Sequence, residues 1–205
     1  MSLTPNRSQV FHNAITEHLA VIEGIFAQQT LLERIAGELS RAILDGKKVL
    51  WCGNGGSAAD SQHLAAELMG RFRRERRGLP SIALTTDTSI LTAIGNDYGY
   101  EKIFQRQVEA LCSTGDVVVG ISTSGNSKNV CAALETARQS GAFTVALTGE
   151  TGGLMAKIAD ACICIPSKDT ARIQEGHILC GHMLCDWVEL AVCERDQTQM
   201  QGQSR

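Results

Sequence analysis

Residues 116–127 read Asp-Val-Val-Val-Gly-Ile-Ser-Thr-Ser-Gly-Asn-Ser, an apolar run that ends in a loop of small hydroxyl side chains. Ser122, Thr123, Ser124 and Ser127 offer neutral O–H donors. A helix predicted over 129–140 would aim its first N–H groups and the positive end of its dipole at any anion held there. The GxxxxGK[ST] spacing of the nucleotide P-loop is missing and no lysine takes part, so the loop suits a sugar phosphate better than a triphosphate with its magnesium ion. A second loop of this kind, Cys52-Gly53-Asn54-Gly55-Gly56-Ser57, follows the apolar run 48–52. Either loop alone is also an ordinary strand-to-helix turn. Two of them at strand ends can face one ligand.

A second group of residues could move protons or hold a metal. His63 and Glu67 are four apart on a predicted helix and share one face, while Leu64, Leu68 and Phe72 mark the other. On the last predicted helix Gln174 and His182 are eight apart, roughly 80° from each other around the axis, so both can turn toward one point. His177 lies off that arc. Two imidazoles, a carboxylate and an amide oxygen form an acceptable, if unusual, set for a divalent ion such as zinc, with room left for substrate oxygens. Taken singly, each pair is equally compatible with core or surface roles. Arg71, Arg73, Arg74, Arg76 and Arg77 close the helix that carries His63, where cations are favourable and solvated; Arg71, the first of them, could still reach a ligand. In the predicted turn 95–99, Asn96 and Asp97 could bind sugar hydroxyls, although Gly-Asn-Asp is also plain turn chemistry.

These side chains need a scaffold, and the hydrophobic pattern supplies one. Helical periodicity over 8–28 and 31–45 puts two helices before the first strand. Short apolar runs at 49–52, 81–84, 117–121, 143–147 and 161–165 then alternate with helical stretches at about 58–74, 88–95, 101–111, 129–140, 153–158 and 170–193. That alternation predicts an α/β domain with a mostly parallel five-stranded sheet and helices on both faces. In such sheets ligands sit at the carboxyl ends of the strands, where both hydroxyl loops fall. The 205 residues, 43% of them hydrophobic, fit one domain, and the segment 194–205 is polar and expected to fray. A net charge of −3 gives no global attraction for nucleic acid or an anionic membrane. Without an apolar leader or an 18-residue apolar run, a cytosolic location is expected. The eight cysteines include no CxxC, and most fall on apolar faces as reduced core residues.

The motifs Gly53-Asn54-Gly55-Gly56-Ser57, His63-Leu64-Ala65-Ala66-Glu67, Gly95-Asn96-Asp97, 121–127, Leu147-Thr148-Gly149 and Arg172-Ile173-Gln174-Glu175 together resemble the sugar isomerase (SIS) domain, and within it the bacterial phosphoheptose isomerases. The resemblance runs from about residue 10 to residue 193. It implies a flavodoxin-like three-layer sandwich, with N-terminal helices over 1–46 that pack on the domain and at a subunit interface, an SIS domain over 47–193 and a polar tail over 194–205. It further implies interconversion of sedoheptulose 7-phosphate and D-glycero-D-manno-heptose 7-phosphate, the step that opens the route to the heptose of lipopolysaccharide or related glycans. By position, the resemblance makes His63, Glu67, Gln174 and His182 ligands of one zinc ion per subunit, with Glu67 and His182 the catalytic pair. Asn54, Gly55, Gly56, Ser57, Glu67, Arg71, Asn96, Asp97, Ser122, Thr123, Ser124, Ser127 and Gln174 become substrate contacts. A homotetramer with sites at subunit interfaces is implied, with neither nucleic acid nor membrane as partner. Two other readings stay open: a non-catalytic relative that binds the bacterial replication initiator, and an isomerase or sensor for another phosphosugar. The scaffold relatives lack the equivalents of Glu67 and His182, which this chain has.

Overall fold

Val49 to Gly53 and Val117 to Ser122 are buried at every position, the pattern of strands covered on both faces. In the computed structural model, which describes residues 7–203, they become neighbouring strands of a parallel sheet. The chain runs α1 (Arg7–Phe26), α2 (Gln29–Leu44), β1 (Val49–Gly53), α3 (Gly56–Met69), β2 (Ser81–Ala83) and α4 (Thr88–Tyr98). It continues through a 3-10 turn (Tyr100–Lys102), α5 (Gln105–Leu111), β3 (Val117–Ser122), α6 (Lys128–Gln139), β4 (Phe143–Thr148), α7 (Met155–Ile158), β5 (Ala161–Cys164) and α8 (Thr170–Gln203). The strand order β2-β1-β3-β4-β5 is the doubly wound, flavodoxin-like order, and its switch point lies between β1 and β3. Both hydroxyl loops leave the sheet there.

Alternation along each strand divides the core. Val49, Trp51, Val119 and Ile121 join the residues of α1, α2, α3 and α8 on one face, whereas Leu50, Cys52, Val118 and Ala146 join those of α5, α6 and α7 on the other. Each fully buried Leu, Ile or Val contributes roughly 1.5–3 kcal/mol of burial, which holds the helices on the sheet. Polar groups at the strand starts are matched: Asp116 accepts from the Lys48 backbone N–H (3.1 Å), the Lys48 ammonium (2.6 Å) and the Ser113 N–H (2.7 Å), tying the start of β3 to that of β1. Asp87 caps α4 by accepting from Ile90 N–H at 2.9 Å, and Asp169 caps α8 by accepting from Ala171 and Arg172.

Three expectations change. The helix carrying His63 stops at Met69 rather than near Arg74, so the arginine cluster lies on a loop and not on a helix end. The reason is a buried carboxylate on α8 that claims the loop backbone, described below. Asn96 and Asp97 sit in the last turn of α4 instead of a free turn. The final helix runs on to Gln203; its polar residues after Cys193 include no proline, and the Arg195 guanidinium donates to the Leu44 carbonyl at the end of α2. In α1 the stripe Phe11, Ile15, Leu19 and Phe26 faces outward, Phe11 and Phe26 being 78% and 75% exposed, while Val21 and Ile25 make the contact with the core. The expectations for the first six residues, and for the last two of the tail, fall outside the described residues. No helix among the described residues is long and apolar enough to cross a membrane. All eight cysteines are free thiols, and burial pushes Cys52, Cys180 and Cys185 up to about 12, which keeps them protonated and inert.

Candidate functional site

The hydroxyl loop after β3 folds onto itself. Ser122 Oγ lies 2.8 Å from Ser127 Oγ and 3.3 Å from Ser124 Oγ. Ser127 stands at the N-cap of α6, yet its hydroxyl turns to Ser122 instead of capping the helix. The loop backbone is braced from the other side. Gly125 C=O accepts from Met155 N–H at 2.9 Å, Asn126 Oδ1 accepts from Leu154 N–H at 2.9 Å, and Thr123 C=O accepts from Gly149 N–H at 3.0 Å. Gly125 has φ +66°, and a Cβ there would lie 2.3 Å from the Gly152 carbonyl oxygen, so only glycine lets these two loops meet. Gly120 does similar work below, where a Cβ would lie 2.6 Å from Val130 Cγ1. Its bare face lets α6 press on β3 and directs the helix N-terminus at the loop.

The first loop lies alongside. Asn54 and Asn129 exchange amide hydrogen bonds at 2.9 and 2.8 Å, and the Tyr100 hydroxyl donates to Asn54 Oδ1 at 2.9 Å. Asn54 is therefore clamped between the start of α6 and the 3-10 turn. A Cβ at Gly56 would lie 2.3 Å from Gln174 Nε2, which puts the Gln174 amide against the start of α3. Asn96 donates to Asp97 Oδ1 at 2.8 Å, and both remain exposed.

Further along α3 and α8 the second group converges. His63 Nε2 is 2.9 Å from His182 Nε2 and 3.2 Å from Glu67 Oε1, and one ligating atom from each residue lies within 4.8 Å of the other two. Gly181 explains how the helices come this close: a Cβ there would lie 2.4 Å from Leu64 Cδ1, and the two histidines flank that contact, His63 just before Leu64 and His182 just after Gly181. The Phe72 ring stacks on the His182 imidazole, with centroids 5.4 Å apart and planes at 23°. His182 is held below the usual histidine range, first by burial and then by neighbouring His63 and Arg73, with Glu67 pulling the other way. Two imidazole nitrogens and a carboxylate facing one point are the donor types a zinc-like cation accepts, so the residues fit such an ion.

Of the four side chains expected to share a metal, His63, Glu67 and His182 come together, and Gln174, eight residues before His182 on α8, has its amide against the start of α3. Arg71 follows the end of α3, roughly 20 Å along that helix from the Gly56 end, and pairs with Glu75 at 3.8 Å. His177 is wholly buried, with its Nε2–H on the Thr148 carbonyl at 3.1 Å. Phe72, Tyr100 and Asn129 escaped the sequence reading as parts of the site. Phe72 was read as helix core, and nothing in the local sequence of Tyr100 or Asn129 marks a partner 46 or 75 residues away.

The sequence profile of the SIS domain matches residues 11–149. The phosphoheptose isomerase of Aquifex aeolicus is 58% identical over 187 residues, covering 91% of this chain and 96% of that one. The chain belongs to the SIS domain family. Within it the relatives are consistent: the Geotalea daltonii phosphoheptose isomerase is 60% identical over 178 residues, covering 85% of this chain and 92% of its own. The solved phosphoheptose isomerase of Neisseria gonorrhoeae superposes on this SIS domain with a TM-score of 0.84 at 41% identity, covering 90% of this chain and 99% of the other.

Proposed function

We propose that the protein is an aldose–ketose isomerase that interconverts sedoheptulose 7-phosphate and D-glycero-D-manno-heptose 7-phosphate, opening heptose biosynthesis. The observation that carries this reading is the convergence of His63, Glu67 and His182 on one point, along the helices from a hydroxyl-lined phosphate cradle. Ser122, Thr123, Ser124 and Ser127 bind the terminal phosphate, and Asn54, Gly55, Gly56, Ser57 and Gln174 line the path between. Asn96 and Asp97 bind sugar hydroxyls from the end of α4. Gripping the far end orients the chain so that C1 and C2 meet the acid–base pair.

From the ketose side, Glu67 takes a proton from C1 and His182 gives one to the C2 carbonyl oxygen, forming the enediol. The O1 hydroxyl then returns its proton to the site while C2 is protonated, leaving the aldehyde at C1. With its pKa lowered by burial and by His63, His182 is a neutral imidazole near pH 7, so it donates from a ring N–H rather than as an imidazolium. His63, Glu67 and His182 would hold a zinc ion, which supplies Lewis-acid polarisation of the carbonyl when bound. A carboxylate engaged by a cation is a poorer base, so the two duties of Glu67 compete. A coupled assay on sedoheptulose 7-phosphate tests the reading. Turnover is expected, reduced by a chelator and restored by zinc; no turnover, or faster turnover of a hexose phosphate, contradicts it.

Self-assembly through α1 follows from the same reading. Phe11, Ile15, Leu19 and Phe26 on α1, with Met183, Trp187 and Leu190 on α8, are large apolar side chains exposed on two helices that pack together. A tetramer that buries this surface beside His182 accounts for it, and it gives Arg71 a neighbouring subunit's site to serve. A light-scattering mass near that of the monomer contradicts the assembly.

A further inference from the structure

We propose that Glu189 is a positioning residue for the reaction, one carboxylate that fixes both members of the acid–base pair through the loop between α3 and β2. The inference rests on the isomerase reading above. Glu189 follows His182 by seven residues, two turns along the same face of α8. Its side chain is fully buried. Oε1 accepts from Phe72 N–H at 2.9 Å and Oε2 from Arg73 and Arg74 N–H, each at 2.8 Å, while Arg76 Nε lies 3.2 Å from Oε1. Burial alone would raise this carboxyl, but the three N–H donors and Arg76 outweigh it and hold it below the usual range.

Two lines run from that carboxylate to the site. The first passes through Phe72: with its N–H fixed, its ring rests on the His182 imidazole. The second passes through Arg76, whose side chain is almost entirely buried against Glu189. Its guanidinium donates to the carbonyls of Glu67 (2.9 Å), Leu68 (2.8 Å) and Gly70 (2.8 Å), the groups that the end of α3 leaves without helical partners. Arg76 thus caps the turn that carries Glu67. Outside, Asp186 holds Arg73 and Arg74 at 2.8 and 2.5 Å and closes the loop against α8. An apolar side chain would fill this space with less desolvation cost; the carboxylate adds directed bonds that select one loop conformation.

Glu189→Gln keeps the shape and replaces one acceptor with a donor that faces N–H groups. It is expected to lower kcat roughly tenfold to a hundredfold, as misplacement of reacting groups does, while KM for sedoheptulose 7-phosphate stays near that of the parent. In metal-free, histidine-labelled protein the His182 side-chain resonances should move as the Phe72 ring leaves the imidazole. Phe72→Leu, which keeps apolar volume but removes the ring, should reproduce both changes. Parental kcat in folded Glu189→Gln overturns the proposal, as does a joint change in kcat and KM, or lost thermal stability with unmoved His182 resonances. Should Glu189→Gln fail to fold, Arg76→Lys and Phe72→Leu decide by the same readings. A parent inactive on sedoheptulose 7-phosphate strikes the isomerase reading alone, because the resonance measurement still decides whether Glu189 places His182.

Discussion

The proposed phosphate end of the site draws its hydroxyls from the six residues 122–127, beginning with the last residue of β3, whereas the proposed proton-transfer end draws three side chains from two helices whose histidines are 119 residues apart. At the first end the geometry is set by the backbone: a strand end, a glycine at φ +66° and the braces from residues 149–155. At the second it is set by how α3 and α8 pack, with Gly181 and Leu64 in contact and the loop between α3 and β2 closing the open side. Affinity should therefore respond to changes in one short stretch, and rate to changes spread over the molecule.

The sharpest way to separate the two ends is Glu67→Gln. Turnover should fall roughly a thousandfold, the scale of lost general acid–base catalysis, with sugar-phosphate affinity measured by calorimetry nearly unchanged. Equal losses of binding and rate would mean that Glu67 builds the pocket for both ends. Gly125→Ala comes next. Its Cβ would lie 2.3 Å from the Gly152 carbonyl, so the loop must shift, and KM should rise roughly tenfold or more with a smaller change in kcat. A parental KM would show that the loop does not grip the phosphate. Ser124→Ala removes one hydroxyl and should raise KM about threefold to tenfold, the value of a single hydrogen bond; a fall confined to kcat would reverse the assignment of the two ends.

The remaining test reads stability rather than turnover and concerns the link between the ends, His177, which stands on α8 between Gln174 and His182 and bonds the last residue of β4. Burial pushes its pKa down to about 4, against the upward pull of the Thr148 carbonyl. The unfolded chain takes up a proton near pH 6.5 and the native state only near 4, so this group's contribution is intact above 6.5 and lost as pH falls to 4, on the order of 3 kcal/mol. Asp60 acts in the opposite sense. Burial raises it to about 6, so its ionisation costs stability above that pH and the cost is relieved as pH falls, an effect moderated because the side chain is only half-buried. Denaturant midpoints should fall between pH 6.5 and 4, and more steeply in Asp60→Asn; a flat profile in that variant would remove His177 from the account.

The same contrast decides how much could be read in advance. The five strands, both loops and the helices that follow them were legible because each is written within a dozen residues, as an apolar run, small hydroxyl or glycine residues, then helical periodicity. The facing pairs on α3 and α8 were legible as faces, but their meeting depends on Gly181 against Leu64, a contact no local window contains. The end of α3 was misread for the same reason: residues 70–74 carry no strong helix breaker beyond Gly70, and their departure from the helix follows from Glu189, more than a hundred residues on. The outward stripe of α1 was read as periodic correctly, while its direction depends on which face α8 and the sheet leave available.

Because α8 brings Gln174, His182 and Glu189 on one side and covers the sheet with Cys180, Leu184 and Val188 on the other, a single helix ties the folding of the core to the placement of these polar side chains. A substitution that loosens its apolar face should therefore lower melting temperature and turnover together.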